Sequence, residues 1–206
     1  MKKLVLSIAA VLAVGTVAHA QQEVKFGPKA GVNFANVSGI DDTDMKTSFH
    51  VGAVAEIKFN DKFSVQPELL YSSQGYKVSG SETIMGVTAT FEGTQKLDYI
   101  NVPIMAKYYI IDGFSVEAGP QIGFLIKAEG EGESTAMGTT SKIKEDNKDF
   151  YKSIDFGVNF GLAYDLPMGL FVNARYNLGL ADIRDNSDNG DAIKNNVIQV
   201  GVGYKF

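Results

Sequence analysis

Once the first twenty residues are set aside, His50 is the one histidine left, and any nucleophilic chemistry would have to be built around it. Ser72 and Ser73 could supply a hydroxyl, and Asp44 or Asp155 could orient the imidazole. Such catalysis needs a base within hydrogen-bond reach of the nucleophile and a third group holding that base. The spacing supplies no such unit, and no Gly-x-Ser-x-Gly elbow is present. His50 therefore reads as a histidine near the outer end of a strand with its hydrogen bonds satisfied, and the chain as a non-enzyme without catalytic residues.

A second group, Asp185, Ser187, Asn189 and Gly190, matches the opening of a calcium loop, where oxygens at alternate positions converge on a hard cation and Gly permits the turn. Its twelfth position is Asn196 rather than Glu, so the expectation is a solvated acidic loop and no resident metal or cofactor. The third group is ionic: Lys29, Glu56, Lys58, Glu68, Lys107, Glu117 and Arg175. All stand at positions that alternate with apolar neighbours, and that alternation places them on one face of a sheet.

The elements that would carry them are strands. Period-two alternation recurs near Val24 to Val37, Lys46 to Phe59, Phe63 to Val78, Leu97 to Ile110, Phe114 to Ala128, Ile154 to Tyr164, Leu170 to Leu180 and Asn195 to Phe206. In the last of these, Ile198, Val200, Val202, Tyr204 and Phe206 oppose Gln199, Gly201, Gly203 and Lys205. Polar and glycine residues share a face in every strand, as a crowded polar lumen inside an apolar outer surface would require. A soluble barrel would turn its apolar side inward and carry long charged residues outside. The pattern predicts an eight-stranded antiparallel up-and-down transmembrane β-barrel, since closure lets strands cross lipid without unpaired backbone groups. Opposite charges in so narrow a lumen are expected to pair and plug it rather than line a channel. Pro28, Pro67, Pro103 and Pro120 are expected at bulges or strand ends.

Connections alternate in length. Asn60-Asp61, Asp112-Gly113 and Pro167-Met168-Gly169 are tight turns, whereas Ser38 to Met45, Ser79 to Glu92, Glu129 to Lys148 and Asp182 to Lys194 are longer, polar loops. Short turns on one rim and long loops on the other imply periplasmic N and C termini and outward-facing loops. Phe59, Phe63, Tyr108, Phe114, Tyr164, Tyr204 and Phe206 mark one aromatic girdle, and Phe34, Phe49, Tyr71 and Phe124 a second. Gly, Thr and Glu dominate the third loop, which reads as a solvated tip.

The N-terminal segment has the form of a secretory leader: Lys2 and Lys3, an apolar stretch from Leu4 to Val17, then Ala18-His19-Ala20. Residues 1–20 are expected to be removed, leaving 21–206 as a single barrel domain. Without cysteine there is no disulfide framework and no lipidated cysteine. Removing Lys2 and Lys3 from 19 basic residues leaves 17 against 24 acidic ones, a net charge of about −7, with no basic cluster to hold nucleic acid. A mean hydropathy of −0.02 excludes a helical membrane protein.

GPKAGVNFANVSG (Gly27 to Gly39), SVQPELLYSSQGYK (Ser64 to Lys77), LDYINVPIMAKYY (Leu97 to Tyr109), FSVEAGPQIGFLI (Phe114 to Ile126) and LFVNARYNLGLADI (Leu170 to Ile183) resemble the PorT-like outer-membrane β-barrel proteins of Bacteroidetes. The resemblance spans nearly all of residues 21–206 apart from the loops. It implies a small barrel of the bacterial outer membrane, without assigned chemistry, in a family whose namesake is associated with protein secretion. Resemblance to outer-membrane proteins makes Tyr204 and Phe206 the mark read by the insertion machinery. The expected partners are therefore outer-membrane lipid, that machinery, and an extracellular or envelope protein reached through the loops. The alternatives are a narrow transport or secretion component and a lipid-acting barrel enzyme, although the N-terminal amphipathic helix of lipid-acylating barrels is missing.

Overall fold

The computed structural model describes residues 23–84, 87–136, 139–185 and 191–206. Among the described residues nine strands follow one another: β1 (Glu23–Ser38), β2 (Thr43–Asn60), β3 (Phe63–Ile84), β4 (Val87–Ile111), β5 (Phe114–Ala136), β6 (Thr139–Asp146), β7 (Ile154–Asp165), β8 (Leu170–Gly179) and β9 (Lys194–Tyr204). Eight of them close a ring in which each strand pairs antiparallel with its neighbours, β1 meeting β9 and β4 meeting β5. The ninth, β6, lies outside the ring and pairs with the upper part of β5. The eight-stranded barrel expected from the alternation is the observed architecture.

Burial follows residue parity and is inverted relative to a soluble protein. Along β8 exposed and buried residues alternate without a break, the exposed ones being Leu170, Val172, Ala174, Tyr176 and Leu178, and the buried ones including Asn173, Arg175 and Asn177. Strand β9 repeats this, with Ile198, Val200, Val202 and Tyr204 outside. An apolar outer belt is stable only against hydrocarbon, because in water each such side chain would forfeit about 1.5–3 kcal/mol of burial. Both expected girdles supply outward rings, and Phe206 packs edge-on against Phe26 with centroids 4.8 Å apart. The turns between β2 and β3, β4 and β5, and β7 and β8 sit at the same end as Glu23 and Phe206; Gly113 (φ +78°) and Gly169 (φ +90°) take left-handed conformations there that a side chain would strain.

Three expectations are corrected. Residues 79–84, 87–92, 129–136 and 139–146 are strand rather than loop: β3, β4 and β5 run for 22, 25 and 23 residues, and β6 for 8. About ten residues suffice to cross a bilayer, so their upper parts, with β6, form a four-stranded sheet standing clear of the barrel. The physical reason is cross-strand chemistry that a strand-by-strand reading misses. Lys96 to Glu131, Lys142 to Glu133 and Lys144 to Glu129 are ion pairs across the ladders, and the Phe91 ring covers Gly80. Second, the segment from Asp182 to Lys194 is not wholly a solvated loop, because Ile183 and Ile193 turn into the barrel. Third, the prolines avoid the register shifts. Pro67 and Pro103 instead adjoin two-residue lapses in the ladders, and Pro28 stands one residue beyond the end of the β1–β9 pairing.

Candidate functional site

The inward side chains stack in tiers along the lumen. In the middle tier, Arg175 on β8 faces Glu68 on β3 and Glu117 on β5. Its Nη1 and Nη2 donate to the two Glu68 oxygens at 2.8 and 2.6 Å, Nη2 also donates to Glu117 Oε2 at 3.1 Å, and Nε donates to Glu117 Oε1. Lys29 Nζ adds a bond to Glu68 Oε2 at 3.0 Å, and Gln66 donates to Glu68 Oε1 at 2.6 Å. Two cations meet two anions, and none of the four side chains exceeds 1% exposure. Gly161 beside them leaves room: a Cβ there would come within 2.7 Å of Arg175 Cγ.

Nearer the tight turns lies a second ionic tier. Lys205 bridges Glu56 and Asp165, Lys107 approaches the same two carboxylates at 3.4 and 3.3 Å, and the Tyr109 hydroxyl bonds to both. Ser64 donates to Glu56 at 2.6 Å, and the Lys58 ammonium lies 4.8 Å from the centre of the Tyr109 ring. This tier floors an opening of roughly 430 Å³ at the turn end.

Above the middle tier come amides and hydroxyls. Asn33 donates to Ser72 Oγ at 3.0 Å and accepts from Gln199 at 3.2 Å, while His50 Nδ1 lies 2.8 Å from Asn33 Oδ1. Asn159 links Gln121 and Asn177, and Asn195 donates to Gln74. The last layer is apolar: Val37, Leu97, Tyr99, Leu125, Ala128, Ile183 and Ile193 pack together across the mouth, joined by Ile40, Tyr76 and Tyr151.

The seven ionic residues singled out in the sequence all face the lumen, but they divide between two tiers. Lys29, Glu68, Glu117 and Arg175 meet in one, and Glu56, Lys58 and Lys107 in the other. Lys205, Asp165 and Tyr109 complete the lower tier and were not among the seven. Lys205 shares the inward parity of Gln199, Gly201 and Gly203, whereas Asp165 adjoins a turn, where parity carries no signal. His50 is a correction: strand β2 continues outward to Thr43, so the ring lies inside the lumen beneath the cap, almost fully buried, rather than at the rim. Asn33 stands between it and Ser72, and its Nδ1 partner is an amide instead of a carboxylate. Tyr204 and Phe206 point outward beside one another, ring centroids 6.2 Å apart. In the calcium-loop motif, Asp185 is tied by its backbone nitrogen to Phe150, while Ser187, Asn189 and Gly190 lie outside the described residues, as does the leader.

Outside the barrel, the projecting sheet carries its own electrostatics. Hydrogen bonds from Lys144 and Lys127 hold the Glu129 carboxyl down at about 2, below the usual carboxylate range, and Glu129 in turn raises Lys144.

The family described as outer membrane protein beta-barrel domain matches residues 19–185. Among solved structures, the attachment invasion locus protein Ail of Yersinia pestis is 14% identical, covering 89% of this chain and 99% of its own, with a TM-score of 0.46. Neisserial surface protein A is 14% identical with the same coverage and a TM-score of 0.49. The outer membrane protein OprG from Pseudomonas aeruginosa is 12% identical, covering 89% of this chain and 94% of its own, with a TM-score of 0.37. No curated protein matches the chain.

Proposed function

We propose, for a chain that belongs to the outer membrane protein β-barrel domain family, that it is a closed, non-enzymatic barrel of the bacterial outer membrane whose work is done by what it holds outside. One observation carries this reading: the lumen is filled twice over, by ion pairs at mid-height and by an apolar layer at the loop end. An eight-stranded barrel is just wide enough for its own side chains, and paired charges under a dry cap leave no file of water. Both chain ends and the tight turns then face the periplasm, and the sheet built from β3 to β6 faces outward to meet an envelope or extracellular protein. Within the family, the PorT-like subgroup of Bacteroidetes is the proposed home, with a cleaved leader at residues 1–20 and Tyr204 and Phe206 as the insertion signal.

Two measurements on the full chain test this. In planar bilayers the purified protein is expected to leave the membrane insulating; regular conductance steps would overturn the closed reading. In intact cells a membrane-impermeant maleimide is expected to label Ser141→Cys on β6 and not Asp61→Cys in a tight turn. The reverse pattern would invert the orientation.

A further inference from the structure

The apolar belt of the barrel has a dent in it. Ala106 on β4 and Ala118 on β5 face one another across their ladder, the only two alanines so paired in the barrel wall among the described residues. Phe160 on β7 stands next to Ala118 in the same row, and Phe63, Tyr108 and Val116 occupy the row nearer the tight turns. These four larger side chains rise around the two alanines and enclose a groove of roughly 380 Å³. Lys107 and Glu117 contribute only backbone to it, because their side chains turn into the lumen. The Tyr108 hydroxyl is then the one polar side-chain group on the lining.

On the membrane reading of the belt, on which this inference rests, water does not reach the groove, and an empty one forfeits the dispersion contacts of every atom that lines it. Something apolar fills it. A second copy of the chain does not match its size: stable interfaces bury about 800 Å² per partner, whereas the floor is two strands wide, about 10 Å at a strand spacing of about 4.8 Å. A single hydrocarbon chain does match. Height along the barrel selects its source. Phe63 opens β3 directly after the Asp61-Lys62 turn and pairs with Tyr108, so the groove belongs to the leaflet at the tight-turn end. Asp61 and Lys62 are exposed there, and neither is in an ion pair among the described residues. A cation beside an anion at headgroup level suits a lipid head that carries both a phosphate and an ammonium.

We propose that the groove over Ala106 and Ala118 holds one acyl chain of a periplasmic-leaflet phospholipid with a phosphoethanolamine head, its phosphate meeting Lys62 and its ammonium meeting Asp61. Packing is what holds a chain against protein inside a bilayer, since the surrounding lipid is as apolar as the groove. Elsewhere the belt offers a chain only the tips of large side chains. Here it is walled on several sides, and this lipid stays bound while its neighbours exchange.

In the test, the full chain is inserted into vesicles of equal phosphatidylethanolamine and phosphatidylglycerol, floated with them, extracted in mild detergent and weighed intact by native mass spectrometry. The parent is expected to carry one phosphatidylethanolamine. Ala106→Leu with Ala118→Leu, which fills the dent with side chains that suit the belt, is expected to lose that mass. Ala30→Leu, an outward alanine on β1 across the ring, is expected to keep it. Asp61→Asn, which leaves the groove intact, is expected to hold the two phospholipids equally. A parent that carries no lipid, that holds phosphatidylglycerol as readily, or whose lipid survives in the double leucine variant would overturn the site. So would a parent dimer that the same variant abolishes, since the groove would then belong to a second copy. A chain that fails to float overturns the membrane reading together with the site, whereas one that floats and emerges bare overturns the site alone.

Discussion

Arg175 is held by four hydrogen bonds to two carboxylates that come from strands on other parts of the ring. Its planar fork satisfies Glu68 bidentately, a geometry that a lysine ammonium cannot reproduce. Truncation to alanine leaves Lys29 facing both Glu68 and Glu117, one anion in excess in a site sealed from water. Breaking a buried network from one side costs about 3–5 kcal/mol. Arg175→Ala is therefore expected to unfold at lower urea by about that amount and to lose its compact migration on unheated gels, and Arg175→Lys to recover only part of the loss. Parent-like unfolding of Arg175→Ala would remove the network from the account of stability. That Arg175 faces inward was legible in the sequence, because parity along β8 is unbroken. That it meets Glu68, 107 residues away, was not, because alternation gives a side chain's face but not its height, which depends on strand stagger around the whole ring.

Among the strands, β4 to β6 show the same limit from the other side. Residues 129–146 are rich in Glu, Lys, Gly and Thr and so carry no apolar alternation, yet 129–136 and 139–146 pair as antiparallel strands. Pairing of charge goes with this register, Glu131 meeting both Lys96 and Lys144, and Lys142 meeting Glu133, though each such exposed pair contributes only about 0–1 kcal/mol. The contribution of Glu129 can be followed by pH. Its carboxyl is depressed to about 2 by Lys144 and Lys127, so the ion pairs are fully present above the usual carboxylate value of 4.5 and are lost as pH falls towards 2. Carboxyl ¹³C shifts of the parent should show Glu129 ionised at pH 3.5, and Lys144→Ala should move its titration back up towards 4.5. A Glu129 that titrates near 4.5 in the parent would mean the ladder of charges does not order these strands.

Considered as one body, the barrel is filled at two heights by different physics, and on the closed reading proposed above the two fillings act in series. The middle tier fills the lumen with charges that attract one another; the mouth is filled by Val37, Leu97, Leu125, Ala128, Ile183 and Ile193 packed with Tyr99, a mainly apolar layer with few polar atoms to hold a water file. Series barriers make a distinctive prediction. Removing Glu68 and Arg175 together keeps the tier neutral, since Lys29 and Glu117 remain, and removes its two best-connected members. That pair of alanine substitutions should leave a bilayer insulating, because the cap is untouched. Tyr99→Ala with Leu125→Ala should do the same, because the ions below still fill the lumen. Only the fourfold variant is expected to show conductance steps. Steps from the cap pair alone would mean that the ionic tier passes water and ions even when paired, and the barrel would then be a gated conduit whose gate is the apolar layer rather than a plugged support for the sheet above it.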